Sequence, residues 1–216
     1  MLFYKNSCSK LRRIALPKVV DHELYRISIL KRCLGLFAKK GYATVTMREI
    51  SKELRVSTGS LYHYFPTKEV LFEEMAKWVV REDAAQLEEV RGSSKLLSFR
   101  ERLELLFEFV REREGHFQDL VLIASDLYRL DESEPARAIL KECSLVFRNA
   151  IESHLALKNE EMEKLFFSVL IGTVFQRMLD RETADFEKTF ALVRGFAPLI
   201  SFGLLSEPKK AGNDSP

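Results

Sequence analysis

Apolar residues along the chain recur every three or four positions, the spacing of one face of an α-helix, and strand-like alternation is absent. From Asp21 the pattern takes hold: Ile27, Leu30, Leu34 and Phe37 form one stripe, and Gly41 supplies the stop. A second helix opens at Thr46, because Thr46-Met47-Arg48-Glu49 has capping-box form. The Thr46 hydroxyl serves the amide of Glu49, and the Glu49 carboxylate reaches back to the amide of Thr46. Met47, Ile50 and Leu54 are its buried stripe. After a break at Arg55-Val56, Ser57 is the N-cap of a short third helix that buries Leu61 and Phe65. Two short helices across a tight turn make a helix-turn-helix. Pro66-Thr67-Lys68 then ends one helix and starts another that runs through Trp78 toward Val90, with the next break at Arg91-Gly92-Ser93-Ser94. Helical periodicity covers 96–113, 117–130, 135–157, 160–180 and 183–205. The expectation is an all-α chain in four parts: a basic flexible arm over 1–20, a helix-turn-helix domain over 21–68, a larger helical domain over 69–205 and a disordered tail over 206–216. No internal repeat is evident.

The third helix does not read as core design. Ser57, Thr58, Gly59 and Ser60 open it with small residues, and Tyr62, His63 and Tyr64 crowd the next turn, where three consecutive rings cannot all face inward. A helix-turn-helix explains both features. The first turn of its second helix enters the major groove, where bulk would hold the backbone away and hydroxyls can meet base edges or phosphates. The rings then lie along the sugar-phosphate rim. Lys68 adds a charge at the next helix start, and Thr46 and Arg48 at the start of the second helix complete the candidate DNA-contacting set.

Charge agrees with that division. The net charge is only +2, but residues 1–70 hold 14 Lys and Arg against 5 Asp and Glu, a balance of +9. The remainder carries 20 against 27, a balance of −7, so a basic head sits on a mildly acidic body.

In its order of elements, the stretch LFAKKGYATVTMREISKELRVSTGSLYHYFPTKEVLF, residues 36–72, resembles the DNA-binding domain of the TetR family of bacterial transcriptional regulators. The resemblance rests on four segments within residues 24–72: Phe37 to Tyr42, Thr46 to Ile50, Val56 to Tyr62 and Phe65 to Glu69. Arg55 departs from it, standing where the family often has a glycine in a left-handed conformation; the cost is about 1 kcal/mol, and the added charge lies near the DNA side. Ser51 and Leu54 stand at places that are frequently alanine. The resemblance implies a homodimer on a palindromic operator and a C-terminal domain that binds a small effector.

The body adds no catalytic pattern: there is no nucleophile-base pair in a recognisable context, no phosphate loop and no metal-ligand spacing. Neither an enzyme nor a cofactor or metal is expected. Cys8, Cys33 and Cys143 are far apart and odd in number, which fits reduced thiols without disulfides or zinc. No apolar run reaches the length of a membrane span, so the expected setting is the cytoplasm, without a membrane partner. The body is rich in phenylalanine. Trp78, His116, Tyr128, Phe147 and Phe175 are the candidate pocket residues, and apolar walls with a few polar tips suit a hydrophobic effector. The last two helices carry apolar residues on two faces each. Phe167, Ile171, Val174, Phe190, Val193, Ala197 and Ile200 are assigned to a four-helix dimer interface. The function expected is a DNA-binding transcriptional repressor released by a small hydrophobic effector. The alternative is a helical DNA-binding scaffold, its cavity filled by side chains, that is ligand-independent or answers to a protein partner.

Overall fold

The computed structural model describes residues 22–92, 97–130, 134–180 and 185–203, with side chains described for all of these except 91, 130, 134–136 and 196–203. The expected arm over 1–20 and tail over 206–216 lie outside the described residues. The described residues form helices joined by short turns: α1 (His22–Lys40), α2 (Met47–Leu54), α3 (Thr58–Tyr64), α4 (Lys68–Arg91), α5 (Phe99–Glu112), α6 (Glu114–Leu130), α7 (Glu134–Leu155), α8 (Glu160–Leu179) and α9 (Phe186–Gly203).

Local chemistry sets the head's boundaries. Gly41 ends α1 with φ +80, a backbone state that glycine adopts without a side-chain penalty. The capping box at Thr46 and Glu49 is formed, Ser57 accepts the amide of Ser60, and Thr67 accepts that of Val70. Arg55 takes the left-handed conformation, φ 55 and ψ 42, and its N–H closes α2 on the carbonyls of Ser51 and Lys52.

Burial then joins head to body. Ile29, Leu30, Cys33 and Phe37 of α1 meet Ile50, Leu61, Phe65, Leu71 and Met75 in a core that continues along α4 through Val79 and Val80 to Ile123, Leu127 and Ile139. A second core gathers Leu87, Leu103, Leu106, Phe107, Ile151, Leu155, Phe166 and Phe186 from α4, α5, α7, α8 and α9. The 24-residue α4, about 36 Å long, runs from the head to the far end of the body and belongs to both cores. Burying one large aliphatic side chain in either core is worth about 1.5–3 kcal/mol.

Candidate functional site

On the head, α3 is anchored by few residues and exposes the rest. Leu61 is fully buried, while Thr58, Gly59, Tyr62 and His63 are exposed and Ser60 is half-buried. The Ser57 hydroxyl is committed to its own helix at 3.0 Å from the Ser60 amide. The Ser51 hydroxyl donates to the Arg48 carbonyl at 2.9 Å, so at 3.1 Å the Thr58 hydroxyl is the donor to Ser51 Oγ. Thr58 therefore ties α3 to α2 and offers outward only an acceptor oxygen and a methyl group. A Cβ placed on Gly59 would meet nothing within 4 Å, so packing within the subunit does not demand a glycine there. Arg48, Lys52 and Arg55 are exposed beside this surface.

Three more of the expected DNA-contacting groups have partners inside the subunit. Tyr64 is half-buried; its hydroxyl lies 2.6 Å from His22 Nδ1 and its ring 5.3 Å from that of Tyr25, which docks α3 on α1. Its tip, expected to face phosphate, is hydrogen-bonded to His22 within the subunit. Lys68 Nζ donates to the Tyr42 carbonyl at 3.0 Å and sits 4.1 Å above the Tyr42 ring, leaving two of its three donors for other partners. The Thr46 hydroxyl belongs to the capping box. Its backbone N–H and hydroxyl, followed by the charge of Lys40, hold the Glu49 carboxyl below the usual carboxylate range.

Tyr42 connects these groups to the body. Its N–H donates to Asp126 Oδ2 of α6 at 2.8 Å, its hydroxyl donates to Glu69 at 3.0 Å, and its ring contacts Phe37 and Phe72. Burial first, then the bond to Glu69 and that carboxylate's charge, push the Tyr42 phenol up to about 12.

The body encloses a cavity of about 800 Å³ walled by α4 to α8, with Leu34 of α1 at one end. The walls are almost wholly apolar. Phe147 and Phe175 line it, as does Tyr128, which at 80% exposure stands at its open side. Two expected pocket residues are placed elsewhere. Trp78 is half-buried against the first core and outside the cavity lining, and His116 stands behind the wall. What His116 supports is Asp83, 4% exposed, whose two carboxylate oxygens lie 2.9 and 2.8 Å from His116 Nε2. Asp83 lines the cavity and was missed in the sequence, although a signal exists. It occupies a place in the stripe Ala76, Val79, Val80, Asp83, Leu87, where every other member is apolar. Cys143 also lines the cavity, its thiol pushed up to about 11 by burial and then by the charge of Glu142. Among the described residues, no cluster of ligating side chains could hold a metal ion.

The expected dimer stripe needs correction. Val174 is 2% exposed and lines the cavity, and Phe167 lines it as well, stacked 6.2 Å from Phe147; both face the interior. Phe190 packs on Phe107 at 5.0 Å, and Val193 is half-buried against the second core. Only Ile171 of the described set is exposed, and the side chains of Ala197 and Ile200 lie outside the described residues. Apolar residues circle most of α8; the face that looks outward carries Leu165 and Leu179 with the small residues Ser168 and Gly172, flanked by Ile171 and Phe175, which are partly exposed and also line the cavity.

A helix-turn-helix head joined by one long helix to a hollow helical body defines the class of helix-turn-helix regulators. Residues 29–75 match the family described as bacterial regulatory proteins, tetR family, which is the family that the head resembles in sequence. One relative, the uncharacterized HTH-type transcriptional regulator YuxN of Bacillus subtilis, is 30% identical over 137 residues, which are 62% of this chain but only 46% of that protein. The HTH-type transcriptional repressor AcnR of Corynebacterium diphtheriae is 27% identical over 87% of this chain and 88% of its own length. Among solved structures, the transcriptional regulator FadR of Bacillus subtilis, crystallised in complex with stearoyl-CoA, superposes with a TM-score of 0.64 at 17% identity over 79% of this chain and 96% of that one. At that identity the likeness concerns the fold.

Proposed function

We propose that this protein is a dimeric transcriptional repressor that leaves its operator when a small hydrophobic molecule fills the cavity between α4 and α8. The observation that carries the reading is the cavity itself. Its volume of about 800 Å³ and apolar walls are those of a ligand site, and its α6 wall also holds the head through Asp126. A body whose interior is filled by side chains, as the scaffold alternative requires, would not hold such a space. FadR, bound to stearoyl-CoA, and AcnR, a named repressor, support effector control and repression respectively.

In this reading Thr58, Gly59 and Ser60 approach base edges, while Arg48, Tyr62, His63 and the remaining donors of Lys68 meet phosphates. A two-fold dimer on the outward face of α8 presents two such heads to a palindrome, with half-sites about one helical turn apart or a multiple of it. No helix among the described residues is long and apolar enough to cross a membrane, and operator DNA places the work of such a protein in the cytoplasm. The test is a thermal-shift screen of hydrophobic compounds joined to a mobility-shift assay on DNA selected from a random pool. Compounds that raise the melting temperature and release the selected DNA are the expected result. Tight, sequence-selective DNA binding that no stabilising compound weakens would overturn effector control.

A further inference from the structure

The cavity wall carries one acid, Asp83, and its surroundings restrict what the cavity accepts. Val79, Val80 and Leu87, each about one turn from it on α4, and Phe117 line the same cavity with hydrocarbon. Among the described residues a single donor meets it: His116 Nε2 lies 2.8 and 2.9 Å from the two carboxylate oxygens, so one N–H is shared between both. A carboxylate has about four acceptor sites. With 4% of its surface exposed, Asp83 keeps acceptor capacity on the cavity side that an apolar occupant would strip of water without replacement, a cost that buried polar groups avoid.

The neighbouring charges do not answer this demand. Asp119, one turn along α6 from His116, is a second acid on the same histidine, and its carboxyl is pushed up by burial. Arg129 is the cation among the cavity-lining residues, but it stands at the open side, thirteen residues of α6 and about 20 Å from the His116 that touches Asp83. A fatty carboxylate seated with its head at Arg129 leaves the acceptors of Asp83 unanswered, and one seated with its head at Asp83 sets two like charges together.

We propose that the effector is a hydrophobic molecule bearing an N–H or O–H donor, an amine or an alcohol, which meets the Asp83 carboxylate inside the cavity, and that simple carboxylates are selected against. This rests on reading the cavity as the ligand site. The hydrocarbon has room on either side of the anchor, since Met75 lies two turns of α4 to one side of Asp83 and Leu87 one turn to the other.

The experiment loads the full-length protein with the neutral dye Nile red and displaces it with decylamine, decanol or decanoate at neutral pH. The three share one chain and differ in the head group. Decylamine, or decylamine and decanol both, should displace the dye at concentrations about tenfold lower than decanoate, the scale of one hydrogen bond to a charged group. Preference for the amine alone assigns a cation, and preference for both assigns any donor. Asp83→Asn should shrink the amine's advantage to less than about threefold. Decanoate displacing as well as decylamine from the wild type overturns the proposal without any variant having to fold, and so does an amine advantage unchanged in Asp83→Asn. Failure of the protein to take up the dye, or of all three compounds to displace it, overturns the cavity as a ligand site and this proposal with it. Donor preference without release of operator DNA leaves this inference standing and overturns only the effector's role in repression.

Discussion

The Asp126 carboxylate of α6 accepts the backbone N–H of Tyr42 at 2.8 Å, joining a cavity wall to the turn between α1 and α2 across 84 residues of sequence. Ser125, Leu127, Tyr128 and Arg129, the neighbours of Asp126, line the cavity. An occupant that displaces α6 therefore pulls on Tyr42, and through its carbonyl on Lys68 at the start of α4. Asp126→Ala should cost about 1.5–3 kcal/mol of stability, the range for a hydrogen bond to a charged acceptor. It should also leave ligand affinity unchanged while raising the ligand concentration needed to release DNA. Paired dye-displacement and mobility-shift titrations read the two quantities separately; a release curve superimposable on the wild type's would remove Asp126 from the coupling.

Gly59 separates the needs of the fold from those of DNA. A Cβ there meets no atom within 4 Å in the free protein, and glycine inside a helix costs about 0.5–1 kcal/mol relative to alanine. Gly59→Ala should therefore raise the melting temperature and, by holding α3 away from the groove, weaken operator binding at least about tenfold, equivalent to about 1.4 kcal/mol. A stabilised variant with undiminished DNA affinity would show that α3 does not approach DNA at this position.

Arg55 makes the opposite exchange. Its left-handed backbone is the strained state for a residue with a Cβ, and its side chain is exposed beside α3. Arg55→Gly should stabilise the protein by up to about 1 kcal/mol. If the guanidinium meets a phosphate, the same change should reduce the slope of log affinity against log salt by about 1. Denaturant unfolding and a salt titration measure the two effects, and an unchanged slope would confine Arg55 to the turn.

What could be read in the sequence was local in the chain. The capping box joins Thr46 to Glu49 and the Ser57 cap reaches Ser60, each within one helical turn, so side-chain chemistry alone marks the boundaries. The pairs that shape the candidate site are distant. Asp83 and His116 are 33 residues apart, and no periodicity announces which acid a histidine will find. Tyr64 and His22 are 42 apart, a separation that helical spacing does not bridge. The error on α8 has another cause. Helical spacing identifies which residues share a face, but Phe167, Ile171 and Val174 on one stripe and Leu165 and Leu179 on another are equally apolar. Only the position of α6 and α7 decides which stripe closes the cavity.

The Glu49 carboxyl predicts a pH dependence. Because the folded state holds it below its ordinary value, its contribution is fully present above the unfolded carboxylate pKa of about 4.3 and is lost as pH falls through the lower folded value. Glu49→Gln should thus melt earlier than the wild type at neutral pH, with the gap closing progressively below about pH 4. Thr46→Ala, which removes the cap itself, should cost about 1 kcal/mol at neutral pH. Thermal melts across this range measure the gap, and a gap independent of pH would assign the Glu49→Gln effect to packing instead of charge.

The outward face of α8 provides the test of the dimer. Leu165 and Leu179 are 50% and 73% exposed, lie about four helical turns apart on the face that also carries Ser168, Gly172 and Phe175, and are absent from the cavity lining. A monomer gains nothing from exposing such a stripe, and the small residues permit close approach of a second helix. Leu165→Glu or Leu179→Glu should leave the far-ultraviolet circular dichroism and melting cooperativity intact. Either should nevertheless produce monomers in sedimentation at micromolar concentration and abolish binding to a palindromic site while the head is untouched. Val174→Glu should act differently, since at 2% exposure it buries an unpaired charge and lowers the melting temperature outright. Leu179→Glu sedimenting as a dimer would move the interface off this face, and a wild-type monomer binding a palindrome tightly would remove the dimer altogether.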